Sequence, residues 1–405
     1  MEKVIANTFK WGSSNDEQTL NVIRRQGPIS RMDIAKITNL TPATISNITT
    51  KLLELGLIVE DHIGESSGGR RPLLLKVNHS LAAVIIIYIA LEKITGYVLN
   101  TQYKILGKDS KIIKDKKKED ILEIILHIIH NCRKMVTVSV RAAGVVLCDS
   151  VRTNSKTASD VPAISWESRL VKEMIEEKAG LPVIIEDDVK ALSNEEYNHR
   201  SVKDTRNMIL IKVSRGISSS IILNGRLYRG VTNGAGGIGH TTIDIAGPRC
   251  SCGNYGCLEA FASEAALVNT VVKAIKEGQN SSIYNMTDGK LENVTPEMIY
   301  EAANHNDEVA IRTLRQAARY LGIGIANFVN LFNPEIVVIG GGIINGRQYI
   351  EDIIRQTINA RSFESCNSFL KIQFLATTIE NIIKGAADIV FAEFTRTIWL
   401  DQRNL

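Results

Sequence analysis

Cysteine is scarce in this chain. Six among 405 residues are too few for a disulfide scaffold. Cys132, Cys148 and Cys366 are scattered in apolar surroundings, where a cysteine is most often a buried small hydrophobe. Long apolar runs are missing too, since none approaches the roughly 18 to 20 residues that span a bilayer. The start, Met1 to Trp11, has neither the apolar core nor the cleavage site of a secretory signal. A cytoplasmic protein without a membrane partner is expected. Charge of one sign is also lacking: 48 basic against 44 acidic residues leave +4, too mild to mark a nucleic-acid binder by charge alone. No short-period repeat is visible. What is present, 44% hydrophobic and 23% charged residues, excludes wholesale disorder. At 405 residues, two or three domains are expected.

The first eighty residues differ from the rest. Asp16 to Gln26 places Leu20, Val22 and Ile23 at helical spacing, and Gly27-Pro28 stops that helix. Ser30 is a cap for a short helix, Arg31 to Thr38, whose buried side is Ile34, Ala35 and Ile37. After a turn at Asn39-Leu40, Thr41 is a second cap and Pro42 takes the first helical position, where its missing N–H costs nothing. The helix that follows carries Ile45, Ile48, Leu52 and Leu55 on one stripe and ends at Gly56. Leu57 to Ile63 and Leu73 to Val77 read as strands around a glycine-rich loop, Gly64 to Pro72. Three helices and such a hairpin predict a winged helix-turn-helix.

A recognition helix sets small polar side chains near its N-terminus against base edges. Thr41, Thr44, Ser46, Asn47 and Lys51 suit that task, and Arg70 and Arg71 on the wing suit backbone or minor-groove contacts. Residues 1–80 hold ten Lys and Arg against eight Asp and Glu, so placement rather than bulk charge carries the expectation of a double-stranded DNA partner. The plainer alternative is a helical bundle for protein contact with a solvated polar face.

From about residue 80 the chain reads as α/β. Val84 to Ala90, Gly96 to Leu99, Val145 to Leu147, Val183 to Ile185, Met208 to Val213 and Ile336 to Gly340 are strand candidates, with helices between several of them. Lys104 to Lys118 is strongly basic and reads as a hairpin tip leading to a helix around Ile121 to Ile129; Gly278 to Lys290 reads as a polar loop.

The remaining cysteines cluster. His240 followed by Cys250-Ser-Cys-Gly-Asn-Tyr-Gly-Cys257 offers one imidazole and three thiols, a full set for structural zinc with no position left for water. Gly253 and Gly256 permit the turns that Cys-x-Cys needs. The alternative is three reduced surface thiols and an unrelated histidine. The predicted ligands are His240, Cys250, Cys252 and Cys257.

Gly234-Ala-Gly-Gly-Ile-Gly-His240, Cys250-x-Cys-Gly-x-x-Gly-Cys-Leu-Glu259, and Leu321 to Glu335 followed by Gly340-Gly-Gly resemble the ROK family of repressors and sugar kinases. The resemblance runs from about residue 15 to the end and includes the winged helix that the repressors carry and the kinases lack. It implies a two-lobed, actin-like (ribonuclease-H-like) α/β ATPase fold with a sugar site between the lobes, in a dimer or dimer of dimers. The implied boundaries are a DNA-binding unit over 1–79, a first lobe over 80–189 rejoined by 380–405, and a second lobe over 190–379.

Against the family pattern, both phosphate turns are altered. Where a kinase has Asp-x-Gly-x-Thr, this chain has Tyr88-Ile-Ala-Leu-Glu92, and a carboxylate at Glu92 repels phosphate. The second turn reads Ser214-Arg-Gly-Ile-Ser218 and keeps only Gly216. ATP is therefore not expected as a cofactor, and no catalysis is expected, although Asp188 matches the kinase base. By the same resemblance Asp187, Asp188, His240 and Glu259 fall at sugar-binding positions, although Asp187 stands where the family has Asn and a sugar-contacting Glu is replaced by Gly237. For Asp187 and Glu259 an ordinary ion pair or cap is the simpler reading. Gly340-Gly-Gly342 lines an adenosine pocket in a kinase and here reads as a folding turn. The sequence thus predicts a repressor that senses a carbohydrate effector. A sugar kinase with a fused DNA-binding unit, and a DNA-binding protein whose sugar domain is only a dimerisation scaffold, are the rivals.

Overall fold

The computed structural model describes residues 15–63, 72–78, 82–113, 118–148, 169–199 and 205–401. Arg70 and Arg71 lie outside these. The chain builds an N-terminal helical unit and two α/β lobes.

The N-terminal unit comprises helices Asn15–Gln26, Arg31–Thr38 and Pro42–Glu54 and strands Ile29–Ser30, Ile58–Ile63 and Leu73–Val77. Local chemistry fixes its corners. The Ser30 hydroxyl accepts from the Asp33 amide at 3.2 Å and donates to the Asp33 carboxylate at 2.7 Å, so the cap closes on itself. Asn39 ends this helix in the left-handed region, φ 56°. Thr41 accepts from the Thr44 amide at 3.2 Å, with Pro42 beginning the third helix. Ile23, Ile34, Ile45, Ile48, Leu52 and Leu75 meet in one small core. A two-residue strand, Ile29–Ser30, adds to the predicted hairpin by pairing with Leu73–Val77. It was too short to give a periodic signal.

Each lobe holds a five-stranded sheet, and the two sheets share one topology. In the first, Ala83–Ile89, Lys93–Asn100 and Ile105–Ile112 run antiparallel as a meander, and Val140–Leu147 and Val183–Asp187 add in parallel on the other side of Ala83–Ile89. The second sheet repeats that order with Met208–Val213, Ile217–Leu223, Arg226–Leu227, Ile336–Gly340 and Lys371–Phe374. The central strands are apolar almost throughout because both of their faces are covered. Ile85, Ile87 and Ile89 face the helices Lys118–Lys134 and Arg169–Ala179, whereas Val84 and Ile86 face the middle of the molecule.

That middle layer is a helix pair, Asp188–His199 and Ile379–Asp401, clasped between the sheets. Their backbones approach so closely at Gly385 that a methyl group there would lie 1.9 Å from the Ala191 carbonyl oxygen. Only glycine fits.

Two local readings need correction. The basic stretch from Lys104 is no hairpin tip: Ile105–Ile112 is the edge strand of the first sheet, and exposed lysines on an unpaired edge oppose further strand addition. Within Gly278 to Lys290, Ser282–Met286 forms a short helix capped by Ser281. No helix among the described residues is long and apolar enough to cross a membrane.

Candidate functional site

The third N-terminal helix buries Ile45, Ile48, Thr49 and Leu52 and turns Ser46, Asn47 and Lys51 outward. Thr41 is exposed and Thr44 half-buried, their hydroxyls 2.8 Å apart at the first turn. Arg31 of the preceding helix donates to Thr49 at 2.9 Å, which locks the two helices together. The helix therefore offers a polar face on a rigid support.

Between the lobes, Glu186, Asp187 and Asp188 are all buried where the strand Val183–Asp187 passes into the helix Asp188–His199. Buried carboxylates need partners, and each has a cation. Lys212 stands 2.5 Å from Asp188, Lys190 stands 2.8 Å from Asp187, and Arg229 contacts Glu186. Lys190 also donates to the backbone and side-chain oxygens of Asn233, which in turn donates to Glu186 at 3.2 Å. Asp188, which matches the kinase base but was not expected to be catalytic, thus sits inside an ion pair that the sequence motif does not reveal.

The two turns that correspond to a kinase's phosphate turns have bonded amides. Ala90 N–H donates to the Lys93 carbonyl at 3.0 Å, Ser214 N–H to the Gly216 carbonyl at 2.9 Å, and Ile217 N–H to the Glu259 carboxylate at 2.9 Å. The other oxygen of Glu259 accepts from Ser251 at 3.2 Å, so this side chain ties the Ser214–Ser218 turn to the cysteine loop. The ion-pair-or-cap alternative for Asp187 and Glu259 matches these contacts.

Sequence reasoning missed Glu264. It follows the cap Ser263, and its carboxylate rests against Gly342, where an added methyl would fall 1.9 Å from Oε1. Tyr300 donates to the same oxygen at 2.9 Å. Burial pushes the Glu264 carboxyl above its ordinary range, against the Tyr300 hydrogen bond that favours the ionised form. The end of the Gly340-Gly-Gly342 turn therefore meets a side chain 78 residues away in sequence, a closeness that no short motif encodes.

His240, Cys250, Cys252 and Cys257 bring their ligand atoms within 4.8 Å of one another. A tetrahedral ion with metal–sulfur bonds of about 2.3 Å and metal–nitrogen bonds of about 2.0 Å sets edges of about 3.8 and 3.5 Å. Cys252 and Cys257 are 3.7 Å apart, and Cys250 lies 3.6 Å from Nδ1 of His240. The residues fit a metal. Gly253 and Gly256 adopt φ +96° and +68°, as the tight loop requires. Burial, with hydrogen bonding to the Cys250 and Cys252 thiols, pushes the Cys257 thiol up to about 12, and a bound cation would favour its ionised form.

Beside this loop opens a pocket of about 600 Å³, lined by Glu259, Arg215, Arg249, Ser251, Asn269 and Gln316 among others. Of the four expected sugar residues, only Glu259 lines it. Asp187 and Asp188 lie in the ion-pair cluster, and His240 belongs to the metal cluster.

Comparison with known proteins extends these observations. The model of the ROK family matches residues 84–392. The xylose repressor of Caldicellulosiruptor bescii is 32% identical over 376 residues, 90% of this chain and 92% of that protein. The crystal structure of a ROK family transcriptional regulator homologous to the E. coli MLC protein superposes with TM-score 0.78 at 29% identity, over 94% of this chain and 96% of the other. A ROK family glucokinase from Streptomyces griseus, solved with glucose and AMPPNP, gives TM-score 0.62 at 25% identity, over 76% of this chain and 99% of the kinase. The two-lobed α/β architecture is thus of the sugar-kinase type.

Proposed function

The chain belongs to the ROK family, and from that premise we propose that it is a carbohydrate-responsive transcriptional repressor, acting in the cytoplasm as a homodimer or dimer of dimers. In this reading the unit over residues 1–79 is a winged helix-turn-helix that binds double-stranded operator DNA. Residues 80–189 with 380–405 form one lobe, and residues 190–379 form the lobe that carries the metal and the dimer surface.

The observation that carries the reading is the helix Pro42–Glu54, apolar inward and lined outward by Ser46, Asn47 and Lys51, on a three-helix support. Side chains of this size at the start of a helix reach base edges. Recovery of bound sequences from random DNA tests it. Asn47→Ala should weaken the selected site by about 1–3 kcal/mol and relax its sequence preference. The wing pair Arg70 and Arg71, replaced together by alanine, should weaken all DNA similarly and flatten the salt dependence. Failure to select any sequence would overturn the reading.

Enzymatic turnover is not part of it. Phosphate cradles work through backbone N–H groups left open to the ligand; the bonded amides of Ala90, Ser214 and Ile217 support loss of the ATP site, as does Glu264 over Gly342. The ion is proposed to be zinc in a closed structural site, where it would hold the loop of residues 250–257 against His240.

The carbohydrate effector is assigned to the pocket beside Glu259, and by binding one state of the two lobes better than the other it would shift the population that holds operator. A scaffold without effector is the second reading, favoured by the pairing of Asp187 and Asp188 with Lys190 and Lys212. Thermal shift across a panel of sugars and sugar phosphates separates the two, because a ligand of the native state raises the melting point.

A further inference from the structure

Arg24 lies on the first helix of the N-terminal unit, and Asp388 lies 364 residues later on the helix Ile379–Asp401. Their side chains meet at 3.0 Å, only 8% and 5% exposed. Arg24 also donates to the Asp388 carbonyl oxygen at 2.9 Å and to its second carboxylate oxygen at 3.4 Å. Three further donors converge on the same carboxylate: Tyr103 at 2.5 Å, Asn194 at 2.8 Å and Asn198 at 2.9 Å. They come from two places in the fold. Tyr103 follows the first-lobe strand Lys93–Asn100, and the two asparagines sit one turn apart on Asp188–His199.

We infer that Asp388 is a positioning residue that sets the orientation of the N-terminal unit on the central helix pair. Three neutral side chains, Tyr103, Asn194 and Asn198, hold the carboxylate in one place, so Arg24 finds a fixed anion with little freedom of its own. The surroundings favour docking over tethering. Leu20, Leu57 and Val77 of the N-terminal unit and Tyr103, Phe391 and Phe394 of the lobe enclose a gap of only about 20 Å³ beside the pair. Thr101 adds a hydrogen bond to the Asn78 carbonyl at 3.3 Å.

The position of this junction gives it a consequence. Asp188–His199 begins at the carboxylate paired with Lys212 of the second lobe, and six to ten residues further on it presents Asn194 and Asn198 to Asp388. That span is about 9 to 15 Å of rigid helix. A shift of the second lobe against the first that tilts this helix must move the asparagines and with them the seat of Arg24. On the proposed reading of the protein, this is how the state of the lobes reaches the DNA-facing helix. The junction itself does not depend on that reading.

Hydrogen exchange on the full chain, with neither DNA nor sugar present, tests the junction. Arg24→Gln and Asp388→Asn should each speed exchange in Asn15–Gln26 and around 101–103 by about tenfold or more, because each leaves a buried partner uncompensated. The double variant should add little to either single one, since both remove one interaction. Arg24→Lys should restore part of the protection, and the central strand Met208–Val213 should exchange as in the unmodified protein. Unchanged exchange in Asn15–Gln26 for Arg24→Gln overturns the inference, as does full additivity. If Asp388→Asn disturbs the lobes, Arg24→Gln and Arg24→Lys alone decide, because their residue lies outside both lobes. Loss of operator selection with these outcomes intact would count against the proposed function only.

Discussion

At the scale of single residues, chemistry depends on what stands opposite a side chain, and a linear motif carries little of that. Asp188 matches a base by position, yet its partner Lys212 lies on a strand of the other lobe. Lys212→Met should cost about 3–5 kcal/mol in denaturant unfolding, because a buried carboxylate loses its counter-ion. Lys212→Met with Asp188→Asn should recover most of that loss; a double variant no better than the single one would show that the pair is not what holds this site. Glu264 gives a pH signature. Its carboxyl is raised above its ordinary value of 4.5 by burial, so its contribution to stability is full below that value and is lost as pH rises through the folded-state value. Glu264→Gln keeps an acceptor for Tyr300 and cannot ionise. Thermal melts should nearly coincide with the unmodified protein near pH 4, and the variant should melt higher at pH 7. A gap that is constant across pH would refute the assignment.

At the scale of elements, the sequence was most legible where local chemistry decides the structure. Ser30 and Thr41 cap the helices they were expected to cap, and the apolar stripe of Ile45, Ile48 and Leu52 is buried. The cysteine loop was legible for a similar reason, since its three sulfurs and His240 converge through short spacings. Elements set by distant partners were not. Ile29–Ser30 exists because Leu73–Val77 lies beside it, and Ile105–Ile112 is a strand because Lys93–Asn100 supplies its ladder, although its lysines suggested a hairpin tip. Two outcomes follow at this scale. Thr41→Ala should destabilise the Pro42–Glu54 helix by about 1 kcal/mol, read as faster amide exchange at Thr44 and its neighbours. If the cluster holds zinc as proposed, Cys252→Ser should abolish metal binding and loosen residues 250–257, measured by metal content and local exchange; full metal content in that variant would overturn the ligand set.

At the scale of the whole molecule, two sheets of identical strand order clasp one helix pair. The duplication is invisible in sequence because Ala83–Ile89 and Met208–Val213 share only burial on both faces, a demand that many apolar residues meet. Such a body can carry the N-terminal unit in a fixed attitude, and that attitude bears on how a dimer would meet DNA. Two docked units related by a twofold axis present their polar helices at one separation, about 34 Å for major grooves one helical turn apart. The selected operator should therefore be palindromic with fixed spacing. Inserting five base pairs between the half-sites rotates one to the opposite side of the duplex and should weaken binding at least about tenfold, as only one unit can then engage without distorting the protein or the DNA. In Arg24→Gln, whose units would be released from their seats, the same insertion should cost less. Equal affinity of the unmodified protein for both spacings would mean that the units reach DNA independently, and that neither the lobes nor the Arg24–Asp388 junction sets their separation.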